Sequence, residues 1–313
     1  LLKDNPKIEW VYVYEKDELR ALWRGSKAGY IKKLLALVRD IRRERFDAAI
    51  DLSLHREYGF LCWLAGIKER IGFNYKNRGT YLTKKINVDG YHDKHIIEYY
   101  LGLLRFIGVE PAQKDIRIYL PGEDREWARG FLKANGVKEG EPLIGIAPAG
   151  GASWGREAAI KHWRSEGFAG VADLLVEKLG AKAIIFGSAS ETGICENTMK
   201  SMRNPAVMAC GKTTLLQSAA LMSMCRLVIA NDGGSLHLAV AAGAKTVGIF
   251  GPVDERVYGQ YPPGGRHRTV KEDIACRPCY RNFRMKDCDE RKCLDGISTE
   301  AVFKAAQEAL ASG

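Results

Sequence analysis

The second half of the chain alternates short apolar runs with longer segments of helical periodicity. Five apolar runs have the length and the β-branched content of buried strands: residues 143–147, 183–186, 206–209, 226–230 and 246–250. Between them, apolar residues recur at helical spacing near residues 166–179, 190–202, 213–223 and 235–242. Strands that alternate with helices predict a parallel sheet covered by helices on both faces.

The first half of the chain has a less regular pattern that predicts a second α/β domain. Strands are predicted at residues 8–14, 47–51 and 115–120, and helices at residues 28–45, 56–66, 92–107 and 124–135. The segment Val-Lys-Glu-Gly-Glu-Pro at 137–142 is the predicted linker. The predicted organisation is therefore an N-terminal domain at 1–136, a C-terminal domain at 143–296 and a last helix at 297–313.

Composition and charge narrow the class of protein. With 27% charged and 46% hydrophobic residues, 313 residues are typical of a globular protein of two ordinary domains. No apolar run approaches the roughly 20 residues that span a bilayer, and no leader is visible, so a cytoplasmic location is expected. The net charge of +10 favours an anionic partner, or is simply a well-solvated surface.

The most informative segment is Asn231-Asp-Gly-Gly-Ser-Leu-His-Leu238, which joins a buried strand to a helix start. Free N–H groups of a first helical turn and the helix dipole favour an anion there, and glycines let the backbone approach it closely. Four other polar or glycine-rich turns follow predicted strands: 148–151, 187–188, 211–214 and 251–252. Since ligands of parallel sheets bind beyond the carboxyl ends of the strands, this convergence predicts a nucleotide-binding domain.

Several motifs together carry a resemblance to a known family. They are Asn231–Leu238, Phe250-Gly-Pro252, Lys161-His-Trp163 and Cys276-Arg-Pro-Cys279. In this order and spacing the chain resembles glycosyltransferase family 9, whose known members are ADP-heptose:lipopolysaccharide heptosyltransferases. The resemblance implies a GT-B fold, that is, two Rossmann-like domains with a cleft between them, and a sugar nucleotide held mainly by the C-terminal domain.

The resemblance implies a set of donor-binding residues: Lys161, Glu191, Thr213, Asp232, Gly233, Gly234, His237 and Gly251. Lys161 would face the phosphates, Glu191 the ribose, and Asp232 the hydroxyls of the sugar. Each also has a structural interpretation. Lys161 would be a surface lysine beside a core tryptophan, Glu191 an acid near a helix N-terminus, Asp232 or Thr213 an N-cap, and His237 a packed helix residue.

Transfer of a sugar needs a base and a counter-charge for the departing diphosphate. Lys161, the Gly233 and Gly234 N–H groups and the helix dipole supply the charge without a metal, so no cofactor is expected to be required. The family's proposed base is an aspartate in the loop after the first strand, and no such loop precedes residues 8–14. The N-terminal domain is therefore expected to lack its first strand and helix here, and the base to lie upstream of Leu1.

Basic residues of the first domain are the candidates for the acceptor side. Arg20, Arg24 and Lys27, with Lys32 and Lys33, cluster after residues 8–14. In relatives this region lies near a phosphorylated glycolipid, so peripheral contact with the cytoplasmic face of the inner membrane is expected. The outer face of a helix is the alternative. Nucleic acid is not an expected partner, because no aromatic stacking platform accompanies the basic residues.

Four of the eight cysteines form a Cys-rich loop, C-x2-C-x8-C-x4-C, at 276–293. Three interpretations of Cys276, Cys279, Cys288 and Cys293 stay open: a structural zinc site, disulfides, or a packed cap under the last helix.

The leading hypothesis is an inverting glycosyltransferase that moves a heptose-like sugar from an ADP-sugar to a lipopolysaccharide-core glycolipid. Two alternatives share the architecture: a nucleotide-sugar epimerase of the GT-B type, and a non-catalytic binder of a nucleotide-sugar or of zinc.

Overall fold

The computed structural model describes residues 1–2, 4–150, 152–288 and 290–312. The chain divides into two compact units, which we call the N-terminal unit (Lys7–Gln113) and the C-terminal unit (Lys114–Gly313 with Leu1–Pro6). Among the described residues, no helix has the length and the apolar character needed to cross a membrane.

The N-terminal unit contains a small parallel sheet of strands β1 (Ala48–Asp51), β2 (Glu69–Tyr75) and β3 (Lys84–Val88), in the order β1-β2-β3. Its helices are α1 (Lys16–Gly25), α2 (Lys27–Arg43), α3 (Arg56–Leu64) and α4 (Ile96–Gly102), and α4 continues into a 3₁₀ turn at Leu103–Ile107. Two small cores hold this unit together, one centred on Val38 and Leu61 and the other on Ile71 and Phe73.

The predicted strand at residues 8–14 is wrong. This segment has no strand in the structure, and Trp10, Val11 and Val13 are exposed. β-branched and aromatic content favours a strand only where an edge is available for pairing, and no described strand pairs with this segment. The predicted strand at 115–120 is wrong for the same reason, although Ile118 N donates to Ala241 O at 3.1 Å.

The C-terminal unit is built on six parallel strands in the order β6-β5-β4-β7-β8-β9. They are β4 (Leu143–Ala147), β5 (Lys182–Ile185), β6 (Ala206–Met208), β7 (Leu227–Asn231), β8 (Thr246–Phe250) and β9 (His267–Lys271). The five predicted strands are present, and β9 was not predicted. This strand order is the doubly wound one: from β4 the strands are added first towards β6, and from β7 onwards on the opposite side of β4.

Helices cover both faces of this sheet. They are α5 (Gly122–Ala134), α6 (Ser165–Leu179), α7 (Thr192–Ser201), α8 (Leu215–Met224), α9 (Gly234–Ala241), α10 (Glu255–Tyr258), α11 (Lys292–Asp295) and α12 (Thr299–Ala311). One core includes Phe168, Leu175 and Val302 from α6 and α12, and the other includes Leu132 and Leu221 from α5 and α8. Because the five predicted strands are buried on both faces, their sequences are continuous apolar runs, and this pattern allowed their prediction.

The division between the units differs from the predicted linker at 137–142. The structure divides the chain at Gln113/Lys114, so α5 belongs to the C-terminal unit. The reason is packing: Ala128 and Leu132 of α5 are buried in the same core as Ala220 and Leu221 of α8. The last helix, predicted as a separate element, packs on α6 and on β9 in the same unit.

Candidate functional site

The candidate site lies at the carboxyl edge of the six-stranded sheet, where β7 passes into α9. β7 ends at Asn231, and Gly233 precedes the first residue of α9, Gly234. Asp232 N donates to Ile249 O at 2.9 Å, which ties the turn to β8. The N–H groups of the first turn of α9 have no acceptor within the helix and carry the positive end of its dipole. The strand, turn and helix start that the motif predicts are present, and binding of an anion there stays a prediction.

Lys161 and Asp232 form a buried ion pair beside this turn. Lys161 Nζ lies 2.5 Å from Asp232 Oδ2, and the two side chains are only 7% and 6% exposed. Lys161 ends a 3₁₀ segment, Ala152–Lys161, and its ammonium also lies 4.5 Å from the centre of the Trp154 ring. The interpretation of Lys161 as a surface lysine does not fit this burial. Asp232 is not an N-cap either, because Gly233 holds that position.

Asn231 joins three segments of this edge. Its Oδ1 accepts from Trp163 N at 3.0 Å, and its Nδ2 donates to Pro148 O at 2.6 Å. Asn231 is 1% exposed, so both bonds are made away from water. The segment between Pro148 and Trp163, which carries Lys161, is thereby held at both ends against the end of β7, next to Asp232. The sequence reasoning gave Asn231 no role, although an amide side chain at a buried strand end was a usable signal.

Glu191 is the last residue of a short 3₁₀ helix, Ala189–Glu191, that follows β5. Its Oε2 accepts from Ser188 N at 2.7 Å and from Ser188 Oγ at 2.8 Å, forming a capping box at the start of a short 3₁₀ helix. Glu191 therefore has the structural role expected of an acid near a helix N-terminus. A contact of its carboxylate with ribose hydroxyls stays a prediction.

The turn after β6 carries Thr213. Its Oγ1 lies 2.6 Å from Ser218 Oγ. It is not the N-cap of α8, since Thr214 holds that place and forms a capping box with Gln217. Leu215, the first residue of α8, is 62% exposed.

His237 and Gly251 complete the predicted donor set. His237 is half-buried in the first turn of α9, and its N–H approaches Gly233 O at 3.4 Å. Gly251 follows β8, and a Cβ there would lie 2.8 Å from Leu294 Cγ, so any other residue would require the Leu294 side chain to shift.

The acceptor-side candidates lie on the first two helices of the N-terminal unit. Arg20 and Arg24 are on α1, and Lys27 begins α2. All three are exposed, Arg20 pairs with Asp17 at 3.5 Å, and Lys27 Nζ lies 5.7 Å from the Trp23 ring centre. Trp23, Ile31 and Leu35 are exposed on the same two helices. The structure thus gives the basic residues apolar neighbours.

The four cysteines of the Cys-rich loop are free thiols. Cys279 and Cys293 are buried, Cys288 is half-buried and Cys276 is exposed. Burial raises the pKa of the Cys279 thiol, and it raises the pKa of Cys293 to about 11. Within the described ranges, no group of three or more His, Cys, Asp and Glu side chains is arranged to hold a metal ion. The zinc interpretation therefore gains no support from this arrangement and stays a prediction.

A family profile described as glycosyltransferase family 9 (heptosyltransferase) matches residues 34–288, well over half of the chain. The chain belongs to glycosyltransferase family 9. The resemblance inferred from the motifs is therefore confirmed.

Curated and solved relatives agree with the family. The chain is 28% identical over 232 residues to lipooligosaccharide heptosyltransferase 2 of Haemophilus influenzae, a match that covers 71% of this chain and 64% of that protein. It thus spans less than two thirds of the length of this curated family 9 relative.

Two solved structures show the fold. A family 9 glycosyl transferase from Veillonella parvula is 24% identical, with a TM-score of 0.73 over 90% of this chain and 79% of that chain. The Escherichia coli ADP-heptose lps heptosyltransferase II is 18% identical, with a TM-score of 0.69 over 90% of this chain and 81% of that one. These likenesses confirm the predicted fold class, an α/β fold of the GT-B type.

Proposed function

We propose that this chain transfers a heptose-like sugar from an ADP-sugar to a hydroxyl of a lipopolysaccharide-core glycolipid, with inversion and without a metal ion. The observation that carries the proposal is the buried Lys161–Asp232 pair beside the first turn of α9. Family membership and the name of the H. influenzae relative support the class of reaction.

The donor's diphosphate is assigned to the turn between β7 and α9. The N–H groups of Gly233 and Gly234 and the ammonium of Lys161 supply positive charge there. Because a buried ammonium must keep a counter-ion, Asp232 neutralises Lys161 when no donor is bound. A diphosphate takes over that role, and the Asp232 carboxylate is then released to accept hydrogen bonds from hydroxyls of the sugar.

The rest of the donor follows the same edge of the sheet. Glu191, Thr213 and Leu215, at the ends of β5 and β6, are proposed to contact the nucleoside, with the exposed Leu215 against the adenine. His237 and Gly251 are proposed to line the sugar and phosphate side.

Inversion follows from a single displacement. The acceptor hydroxyl gives its proton to a general base, and its oxygen forms a bond to the anomeric carbon on the face opposite the diphosphate. The bond from that carbon to the phosphate oxygen breaks, and its electron pair leaves with ADP. The leaving group gains negative charge, which Lys161 and the helix N-terminus stabilise. Since these groups supply the charge, the proposal needs no divalent cation.

The acceptor side is assigned to the basic surface of α1 and α2 in the N-terminal unit. Arg20, Arg24 and Lys27 complement the phosphates of a glycolipid. Trp23, Ile31 and Leu35 are exposed among these basic residues. Exposed apolar side chains among basic residues are typical of proteins that lie on an anionic membrane surface. A cytoplasmic enzyme in peripheral contact with the inner membrane is proposed on this ground.

Titration calorimetry with ADP and with ADP-heptose tests the donor assignment. Wild-type protein should bind both, Lys161→Ala should lose most of the affinity, and Lys200→Ala, an exposed lysine of α7, should bind like wild type. Equal binding by Lys161→Ala and wild type would refute the assignment. Release of ADP in the presence of a core glycolipid then tests transfer. Binding without transfer would leave only a nucleotide-sugar binder.

A structural zinc in the Cys-rich loop stays a prediction, independent of the reaction. Elemental analysis of wild-type protein and Cys276→Ser decides it. One zinc per chain that is lost in the variant would support the prediction, and a metal-free wild-type protein would exclude it.

A further inference from the structure

The Cys-rich loop (276–293) packs against a turn of the donor site. Cys279 N and Tyr280 N donate to Pro252 O at 2.9 and 3.1 Å, so the loop is hydrogen-bonded to the turn that follows β8. The predicted donor residue Gly251 belongs to this turn.

Arg277 anchors the loop at this end. Its Nε donates to Gly251 O at 2.5 Å, its Nη2 donates to Val253 O at 3.2 Å, and Nη2 also pairs with Glu255 at 3.1 Å. The Arg277 side chain is only 6% exposed. A guanidinium that is buried and bonded to this many acceptors fixes the backbone around it.

Arg291 contacts the other turn, the one that carries Lys161. Its Nη1 donates to Ala159 O at 3.0 Å and to His162 O at 3.2 Å, and its Nη2 donates to Asp295 Oδ1 at 3.3 Å. The two carbonyls lie on either side of Lys161 in the chain. Arg291 has a φ of 43°, in the left-handed region that costs a non-glycine residue energy. The backbone at Arg291 is thus held in an unfavourable conformation that presents its guanidinium to these carbonyls.

An aromatic contact joins the same two segments. The rings of Tyr280 and Trp154 lie 4.9 Å apart, and Lys161 Nζ lies 4.5 Å from the Trp154 ring centre. The Cys-rich loop therefore reaches Lys161 from two directions, through the backbone carbonyls and through the ring that covers its ammonium.

We propose that the Cys-rich loop sets the position of the Lys161 ammonium, and that Arg291 is the positioning residue through which it does so. The proposal rests on the proposed function only in taking Lys161 as the residue that binds the diphosphate. Arg291 itself does not touch the donor. It holds the two carbonyls that flank Lys161, so that the ammonium is already aimed at the α9 turn when the donor arrives.

The first experiment compares ADP with adenosine by titration calorimetry. Arg291→Ala should weaken ADP binding about tenfold, the effect of losing charged hydrogen bonds that order one cation, and should leave adenosine binding within about twofold. The ADP affinity of Arg291→Lys should lie between those of wild type and Arg291→Ala, because an ammonium is a point donor and lacks the planar fork that serves both carbonyls. Arg284→Ala, an exposed arginine of the same loop, should bind both ligands like wild type.

A double-mutant cycle with Lys161 separates positioning from general loosening of the pocket. If Arg291 acts through Lys161, Arg291→Ala should add little loss of ADP affinity in a Lys161→Ala background. The proposal is overturned by full additivity of the two losses, by an equal loss for adenosine, or by unchanged ADP binding in Arg291→Ala. Should Arg291→Ala not fold, Arg291→Lys takes its place in the cycle. Failure of wild-type protein to bind ADP would instead overturn the proposed function.

Discussion

Lys161 Nζ and Asp232 Oδ2 lie 2.5 Å apart in a setting from which water is almost excluded. Lys161 belongs to the segment after β4, and Asp232 to the turn after β7. Because both strands are parallel neighbours, their carboxyl ends meet at one edge, and opposite charges from distant parts of the sequence become a pair.

Breaking this pair from one side should be costly for the stability of the protein. Lys161→Met leaves a buried, unpaired carboxylate, and we expect the free energy of unfolding to fall by about 3 kcal/mol. Lys161→Met/Asp232→Asn removes both charges and should recover part of this loss. Urea denaturation measures the difference. A double variant that loses the sum of the two single losses would show that the two side chains are not coupled.

Substitution of Gly234 should affect ADP binding without lowering the stability of the protein. A Cβ at Gly234 meets no atom within 4 Å, so Gly234→Ala should leave the melting temperature unchanged or slightly raised. If the diphosphate lies against this turn, the added methyl group occupies its place, and ADP affinity should fall more than about tenfold. The matched control is Gly130→Ala in α5, which also has open space around its Cβ. Wild-type ADP affinity in Gly234→Ala would place the phosphates elsewhere.

His267 makes the stability depend on pH. Burial, together with repulsion from Arg266 and Arg268, lowers the pKa of His267 to about 4, against an ordinary value of 6.5. Between these two values the unfolded chain binds a proton that the folded chain refuses, so the free energy of unfolding falls as pH falls from 6.5 towards 4. We expect this residue to account for a loss of about 2 kcal/mol between pH 7 and pH 4.5.

The control for this prediction is His267→Gln, which retains a polar side chain near Thr246 but does not titrate. Urea denaturation of both proteins at the two pH values isolates the contribution of the imidazole. Equal pH dependence in the two proteins would mean that His267 is not held neutral by the fold.

Chelation should leave donor binding intact. Because Lys161 and the first turn of α9 supply the positive charge, ADP binding measured in EDTA should match binding measured with added Mg²⁺. The same comparison for sugar transfer should give equal rates. A loss of binding in EDTA that Mg²⁺ restores would require a metal at the diphosphate and would remove the basis for a metal-independent reaction.

The strands of the larger sheet could be predicted because they are buried on both faces. Five apolar runs have no other interpretation at their length, and all five became strands. β9 was missed because it is an edge strand: only His267 and Val270 are buried, their spacing of three is not the alternation of a strand, and the five residues include two charges. Residues 8–14 show the opposite error, since strand propensity does not supply a pairing partner.

Some residues of the candidate site could be predicted from the sequence and others could not. Gly233, Gly234 and Asp232 are local to one strand–turn–helix unit, so a sequence motif can locate them. The pairing of Lys161 with Asp232 was not predicted: the family resemblance assigned Lys161 to the phosphates and Asp232 to the sugar, and only the adjacency of β4 and β7 shows that the two side chains meet. The buried amide of Asn231 could have been suspected of a structural role, but the partners of Asn231 and Arg291 could not be predicted. Most of them are backbone groups, whose positions depend on the fold and not on residue type.

The two bonds of the Asn231 amide have a wider consequence. They fasten Pro148 and Trp163, the two ends of the segment that carries Lys161, to the strand beside the donor turn. A single amide side chain thus fixes both the entry and the exit of the segment. An exchange of this loop between relatives would therefore have to retain Asn231 as well as Lys161.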